Sequence, residues 1–267
     1  MGNVIRFAEA RARSGFERVK ATYSAGDIAR QFGLSARHIR RWTQEGLIHT
    51  VPGTPADQVA YDYNALTQFR RVRELRNRGL STKQIEAELR GQLNLFPGPE
   101  GELIRLPRKL SSFEEALLLH ERADPRASEL YLTAIEEEDC VADAYCNLGI
   151  LEFESGNVSG SFDRFTSALA HDPRHFESHF NLAYLYFEAG DLRLAQLHYE
   201  MAARIEPNHP DVYFNLGLVH AAGNHLDAAL DALRKARELA PEEEREKVEA
   251  LLSSVEKAVQ SGLRTTN

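Results

Sequence analysis

The apolar residues near the start of the chain are spaced for two short helices. Ile28 and Phe32 lie four positions apart and give the first helix one apolar face. Ile39 and Trp42 do the same for a second helix, which we expect over residues 36–45. The Gly-Leu-Ser sequence between these faces is typical of a helix end followed directly by a new helix start. The pattern therefore predicts a helix-turn-helix.

The spacing then changes to that of short strands and returns to that of helices. Residues 47–51 and 58–61 are rich in β-branched and aromatic residues and flank a Pro-Gly turn, which predicts a small β-hairpin, or wing. After Asp62, apolar residues at three- and four-residue steps predict a third helix. Ser81 opens a fourth, shorter helix that should end near Arg90.

The back half of the chain is periodic. Two kinds of residue recur every 34 positions, namely asparagine at Asn147, Asn181 and Asn215, and proline at Pro173, Pro207 and Pro241. Such a period indicates a stack of helical units in which each unit buries its apolar face against its neighbours.

These units resemble the tetratricopeptide (TPR) family. In one unit the resemblance is carried by Tyr145, Leu148, Gly149, Phe165, Ala168 and Pro173, and the next two units have matching residues. It implies four helix pairs, at about 110–141, 142–175, 176–209 and 210–241. The first unit is degenerate, with Asp139 in place of the proline. An amphipathic helix within residues 242–267 is predicted to cap the stack.

The front of the chain, residues 22–91, resembles the MerR-type winged-helix family. The matching residues include Tyr23-Ser24, Gly33-Leu34-Ser35, Ile39-Arg40-Arg41-Trp42, Gly46-Leu47-Ile48, Tyr61-Asp62 and Gly79-Leu80-Ser81. The resemblance implies that the second helix enters the major groove of DNA and that Arg40 contacts it. Two features depart from the family. Val59 occupies a position where members usually carry arginine, and a Pro- and Gly-containing linker at 92–109 replaces the long dimerising helix.

A basic face on the second predicted helix is the candidate DNA-binding site. Arg37, Arg41 and Gln44 follow i, i+4, i+7 spacing, and His38 and Arg40 flank them. Guanidinium groups suit phosphates and guanine edges. The alternative is a basic helix face that simply faces solvent.

Charge and composition divide the chain in two. Up to Lys109 there are 19 Lys and Arg against 11 Asp and Glu, and from Leu110 there are 13 against 29, so the formal charges are +8 and −16. The basic half therefore suits nucleic acid, whereas an acidic helical surface is ordinarily solubilising. Residues 1–21 form a basic arm that either touches DNA or is a loose tail or frayed helix. With two cysteines and no apolar run of membrane length, we expect a cytoplasmic protein.

The sequence offers no residue set for catalysis, so we expect no enzyme, no cofactor and no metal site. His171, His175 and His179 have the four-residue steps of a helical ligand set, but Pro173 interrupts them. Cys140 and Cys146 are more typical of buried thiols than of redox sensors.

The asparagine series and an adjacent apolar stripe form the candidate peptide groove. Its residues are Asn147, Ile150, Phe180, Asn181, Tyr184, Phe214, Asn215 and Leu218. Similar asparagine series in the TPR superhelix of O-linked N-acetylglucosamine transferase hold an extended peptide by its main chain, and a carboxamide can both donate and accept. The alternative is that each asparagine bonds to the neighbouring repeat.

Together these patterns predict a mainly α protein: a winged helix-turn-helix, then an α-solenoid of four TPR helix pairs and a capping helix. The predicted function is transcriptional regulation through double-stranded DNA. The TPR half would bind an extended protein segment or a second copy of the chain, making a homodimer. The alternative is a TPR adaptor whose helix-turn-helix no longer binds DNA.

Overall fold

The computed structural model describes residues 15–51, 59–93 and 110–265, and the chain divides into two compact units. One unit is Lys20–Ala134, and the other joins the residues up to Val19 with Ile135–Asn267. The division lies inside the first predicted repeat rather than in the predicted linker at 92–109. Most of that linker, residues 94–109, lies outside the described residues.

The helix-turn-helix has the predicted boundaries to within one residue. Helix α1 spans Ala25–Phe32, and its N-cap Ser24 forms a reciprocal capping box with Asp27. Gly33 ends the helix at a φ of 58°, a left-handed conformation that glycine adopts without strain. Helix α2 spans Ala36–Gln44, and the side chain of its N-cap Ser35 accepts a hydrogen bond from the backbone N–H of His38.

The predicted hairpin was wrong in its strand pairing. Strand β1 (Thr22–Ser24) pairs antiparallel with β2 (Ala60–Asp62), and Tyr23 lies opposite Tyr61. Residues 47–51 are not a strand, although the N–H of Val51 donates to the carbonyl of Ala60 (2.9 Å). Leu47 and Ile48 are both 2% exposed, and consecutive residues of a strand cannot both face one core. The predicted turn, residues 52–58, lies outside the described residues.

Helices α3 and α4 complete this domain. Helix α3 spans Tyr63–Asn77, and the side chain of its N-cap Asp62 accepts a hydrogen bond from the N–H of Ala65. Helix α4 spans Thr82–Leu93, three residues beyond its predicted end. The core of the domain is formed by fully buried side chains on α1, α2, β2 and α3: Ile28, Ile39, Trp42, Tyr61, Leu66, Phe69 and Leu75.

The first predicted repeat is built from α5 (Ser112–Glu121) and α6 (Ala127–Glu136). Helix α5 packs on the start of α3: the ring centroids of Tyr63 and Phe113 are 5.0 Å apart, and the amide of Asn64 donates to Glu114 (3.1 Å). These contacts explain why α5 belongs to the same compact unit as the helix-turn-helix.

The remaining repeats form three helix pairs followed by one long helix. Their bounds are α7 Val141–Glu154, α8 Val158–His171, α9 Phe176–Glu188, α10 Leu192–Ile205, α11 Pro210–Ala222, α12 Leu226–Leu239 and α13 Glu242–Thr265. Val248, Leu251, Leu252 and Val255 of α13 are buried in one cluster with Leu233 and Ala236 of α12. Helix α13 thus covers the apolar face of the last repeat, as predicted.

Two glycines let the paired helices approach closely. A Cβ atom at Gly149 would lie 2.8 Å from the ring of Phe165, and one at Gly217 would lie 2.6 Å from Leu233. The same repeat position carries Ala183, which is fully buried. Among the described helices, none combines the length and apolarity that a membrane crossing requires.

Candidate functional site

The basic face of α2 is exposed at four of its five predicted positions. Arg37, Arg40, Arg41 and Gln44 are all exposed. His38 is half-buried, and its Nδ1 lies 2.8 Å from Oγ of Ser35, at the start of the helix. His38 therefore belongs to the helix start as well as to the basic face.

Arg41 differs from its exposed neighbours because it is held by carboxylates of the same domain. Its guanidinium forms an ion pair with Glu86 of α4, and its Nε lies 3.6 Å from Glu45. Glu86 also accepts a hydrogen bond from Nε1 of the buried Trp42 (3.0 Å). A DNA phosphate that used Arg41 would have to compete with Glu86, whereas Arg37 and Arg40 have no such competitor among the described residues.

Two of the three asparagines, Asn147 and Asn181, hold a peptide main chain, and that peptide is a segment of this chain. Asn181 accepts a hydrogen bond from the N–H of Glu17 (2.8 Å) and donates to its carbonyl (2.9 Å). Asn147 pairs in the same way with Val19, at 3.1 and 2.9 Å. Alternate residues of an extended chain present their backbone groups to the same side, so one carboxamide per two residues matches the segment. The third asparagine, Asn215, is also buried.

This arrangement changes the prediction for the basic arm. Residues 16–19 lie in the groove of the repeats, neither as a loose tail nor as a frayed helix, because Asn147 and Asn181 pair with their main chain. Residues 1–14 lie outside the described residues. Asn181 also donates to Sγ of Cys146 in the preceding repeat (3.4 Å), so it bonds to the segment and to its neighbour. We call residues 16–19 the docked segment.

Three side chains of the docked segment are buried or lie against residues of the repeats. The ring of Phe16 lies against three aromatic rings, with centroid distances of 4.6 Å to Phe153, 5.1 Å to Tyr184 and 5.7 Å to Phe165. Val19 is fully buried. The Glu17 carboxylate lies 3.7 Å from Nε2 of the buried His209.

Some residues of the predicted apolar stripe contact the docked segment, and others pack within the repeats. Tyr184 contacts the docked segment, as the groove prediction requires. Phe180 instead packs edge-on against the buried Tyr199, at 5.4 Å between centroids. Ile150, Phe214 and Leu218 are buried within the clusters of the repeats. The sequence analysis did not name Phe16 or His209, and it assigned Phe165 only to the repeat pattern. The sequence signal for Phe16 is an aromatic residue flanked by small, polar and charged residues.

Histidines and carboxylates alternate along the starts of the repeat helices. His175 Nε2 lies 3.1 Å from Asp143 and 3.6 Å from Glu177, and all three residues are buried. Burial disfavours the charged form of His175, but Glu177 and Asp143 outweigh it and raise its pKa well above the usual value. One repeat further on, His209 lies between Glu17 and Asp211.

The three histidines of the interrupted four-residue series have separate partners. His171 stacks on Tyr145, whereas His175 bonds to Asp143. Nδ1 of His179 lies 3.0 Å from Nδ1 of His198. Burial lowers the pKa of His198 to about 4, and the neighbouring His179 acts in the same direction. These side chains therefore do not converge on one point.

The fold and these two sites define a class of protein, a helix-turn-helix domain joined to a helical-repeat domain with a peptide groove. Comparison with known families names both parts. Residues 23–92 match the MerR HTH family regulatory protein model, and residues 165–196 and 185–244 match two tetratricopeptide-repeat models. The chain thus carries a MerR-family helix-turn-helix domain fused to TPR repeats.

Comparison with whole proteins gives matches at low sequence identity only. No curated protein matches the chain significantly. The solved structure of MamA AMB-1 is 18% identical with a TM-score of 0.47, covering 56% of this chain and 81% of that chain. MamA 41-end from Desulfovibrio magneticus RS-1 is 17% identical with a TM-score of 0.45, covering 56% and 94%.

Proposed function

We propose that the protein is a DNA-binding transcriptional regulator whose repeat groove binds an extended protein segment. Helix α2 would lie in the major groove of double-stranded DNA. The observation that carries the DNA-binding half is the pair of exposed arginines, Arg37 and Arg40, on the second helix of a MerR-family domain. A guanidinium can donate to a phosphate or, bidentately, to a guanine edge.

The peptide-binding half rests on the paired hydrogen bonds of Asn147 and Asn181. Each carboxamide satisfies one N–H and one carbonyl of an extended main chain. These contacts require no particular side chain, so they suit a protein segment in general. Specificity would come from the aromatic pocket that surrounds Phe16.

Selection of duplexes from a random DNA pool tests the DNA-binding half. We expect the full chain to enrich one sequence family, and the double variant Arg37→Ala/Arg40→Ala to enrich none. Loss of each phosphate contact should also reduce the slope of log K against log salt concentration by about one. Arg234→Ala/Lys235→Ala, which removes two exposed cations of α12, is the charge-matched control and should behave as wild type.

A second candidate is a TPR adaptor whose helix-turn-helix does not bind DNA. The ion pairs of Arg41 with Glu86 and Glu45 favour it, because they occupy a cation of the predicted DNA-binding face. If the wild-type chain and the double arginine variant both fail to enrich any sequence, the adaptor function replaces the regulator function.

A further inference from the structure

We infer that the docked segment is a tethered ligand that closes the repeat groove to other proteins. The partner that displaces it carries an extended stretch of the same chemistry: an aromatic residue, an acidic residue, any residue, and a β-branched aliphatic residue. This inference rests on the proposed function of the groove as a peptide site. It adds what the groove recognises and how access to it is controlled.

The main-chain contacts make the segment and a partner mutually exclusive. The carboxamides of Asn147 and Asn181 each use both their oxygen and their nitrogen on the docked segment, at distances of 2.8–3.1 Å. An incoming main chain needs the same oxygens and nitrogens, so it binds only after Glu17 and Val19 have left.

The side chains of the segment define the preference at three of four positions. Phe16 fills a pocket of three aromatic rings, so the first position takes an aromatic residue. The carboxylate of Glu17 points to His209, so the second takes an acidic residue. Val19 is fully buried, so the fourth takes an aliphatic residue of similar size. Arg18 contributes neither to the asparagine pairs nor to the aromatic pocket, and we assign no preference there.

Covalent attachment favours the tethered ligand over a free one. Only Lys20 and Ala21 separate Val19 from β1, so the segment cannot diffuse away from the chain that carries it. Short tethers give effective concentrations of the order of millimolar. A partner at micromolar concentration must therefore bind more tightly than the segment does, and weakening the segment should raise the apparent affinity of every partner.

A labelled peptide with the sequence of residues 13–22, RSGFERVKAT, tests this inference by fluorescence anisotropy. We expect the full chain with Phe16→Ala to bind the peptide at least tenfold more tightly than the wild-type chain does. Glu17→Pro removes the N–H that donates to Asn181 but keeps Phe16, and it should give the same gain in peptide affinity. Leu197→Ala, at an apolar side chain that is 52% exposed on α10, is the control and should bind as wild type.

Two further measurements test whether the peptide binds in the groove. A peptide whose phenylalanine is replaced by alanine should bind the Phe16→Ala chain at least tenfold more weakly than the original peptide. Adding Asn147→Ala and Asn181→Ala to the Phe16→Ala chain should reduce binding of the original peptide by a similar factor. Unchanged helix content by circular dichroism shows that each variant is folded.

The outcomes separate this inference from the proposed function. Equal affinity of the peptide for the wild-type, Phe16→Ala and Glu17→Pro chains overturns the tethered ligand but leaves the groove as a peptide site. Absence of binding to all three overturns both. If light scattering gives a wild-type dimer that Phe16→Ala converts to a monomer, the segment comes from a second copy, and attachment within one chain is wrong.

Discussion

At the scale of single residues, the contact of Asn181 with the docked segment requires both a donor and an acceptor on one side chain. Its carboxamide must donate to the carbonyl of Glu17 and accept from the N–H of the same residue. An aspartate has the same shape but only accepts, so it would place a carboxylate oxygen against the carbonyl of Glu17. The side chain is fully buried, which leaves no room for water to replace the lost donor.

We therefore predict that Asn181→Asp releases the docked segment. Leaving this partly buried carbonyl without the donor costs about 1–3 kcal/mol, which corresponds to roughly a tenfold to hundredfold larger undocked population. Trypsin cleavage after Arg18, followed by mass spectrometry, should accelerate by that factor. Asn224→Asp changes an exposed asparagine in the same way and should leave the rate unchanged. Equal cleavage rates in both variants would contradict the role given to Asn181.

His198 gives a prediction for the dependence of stability on pH. Burial lowers its pKa from 6.5 to about 4. The unfolded chain therefore takes up this proton at a higher pH than the folded chain, so stability is complete above about 6.5 and falls as the pH drops towards 4. We expect about 1–2 kcal/mol to be lost at pH 5 through this residue.

The variant His198→Gln tests this effect. Its thermal midpoint should fall less between pH 7 and pH 5 than that of the wild-type chain. His49→Gln, at an exposed histidine of the other unit, should show the full wild-type fall. An identical fall in all three proteins would show that His198 does not titrate differently on folding.

The asparagines were predictable from the sequence, but their ligand was not. Their spacing of 34 residues indicates one repeated position, and the chemistry of a carboxamide indicates a main-chain partner. The segment that fills the groove is more than 120 residues away from Asn147 in the chain. No local pattern links Phe16 to Phe153 or Tyr184, since such long-range pairing depends on the tertiary fold.

At the scale of elements, α4 restrains helix α2. Glu86 of α4 accepts from Trp42 and forms an ion pair with Arg41, so one carboxylate fixes two residues of α2. We predict that Glu86→Gln strengthens DNA binding, because glutamine still accepts from Trp42 but no longer neutralises Arg41. The gain should be severalfold at low salt, with a salt slope steeper by up to about one.

Glu88→Gln is the matched control for this change. Glu88 is an exposed residue of the same helix, and its replacement removes the same charge. DNA titrations of both variants at several salt concentrations separate the release of Arg41 from a general change in charge. Equal effects of the two substitutions would show that Arg41 is not available to DNA in either case.

Helices were easier to predict than strand pairing. The capping serines and Gly33 set the limits of α1 and α2 locally, so the predicted bounds agree closely with the structure. The partner of β2 is not local. Residues 47–51 have strand-forming side chains, yet the buried pair Leu47 and Ile48 removes the alternation that a strand needs. Instead, β2 pairs with Thr22–Ser24, a segment for which the sequence pattern predicts no strand.

At the scale of the whole molecule, a single winged helix offers a small DNA contact, and such domains commonly bind as dimers to two half-sites about one helical turn apart. We predict that specific binding by the full chain of 30.1 kDa involves two copies. Light scattering of the complex should give two chains per duplex with both half-sites. A duplex with one half-site should bind at least tenfold more weakly. Tight binding of one copy to a single half-site would contradict the prediction.

The two compact units do not coincide with the basic and acidic halves of the sequence. The acidic repeats and the basic front half were predicted to separate at a linker. Instead, residues up to Val19 belong to the unit of the later repeats, and α5 belongs to the unit of the helix-turn-helix. The contacts responsible are those of Phe16 with Phe153 and of Tyr63 with Phe113, pairs that are distant in the sequence.

Amide hydrogen exchange, followed by NMR on the full wild-type chain, tests most directly whether the asparagines hold an extended main chain. The N–H groups of Glu17 and Val19 donate to Asn181 and Asn147, whereas that of Arg18, between them, faces the other side of the extended segment. We predict slow exchange at Glu17 and Val19 and fast exchange at Arg18, and loss of the slow exchange in Asn147→Ala/Asn181→Ala. Uniformly fast exchange at all three amides of the wild-type chain would contradict a groove that binds main chain through its asparagines.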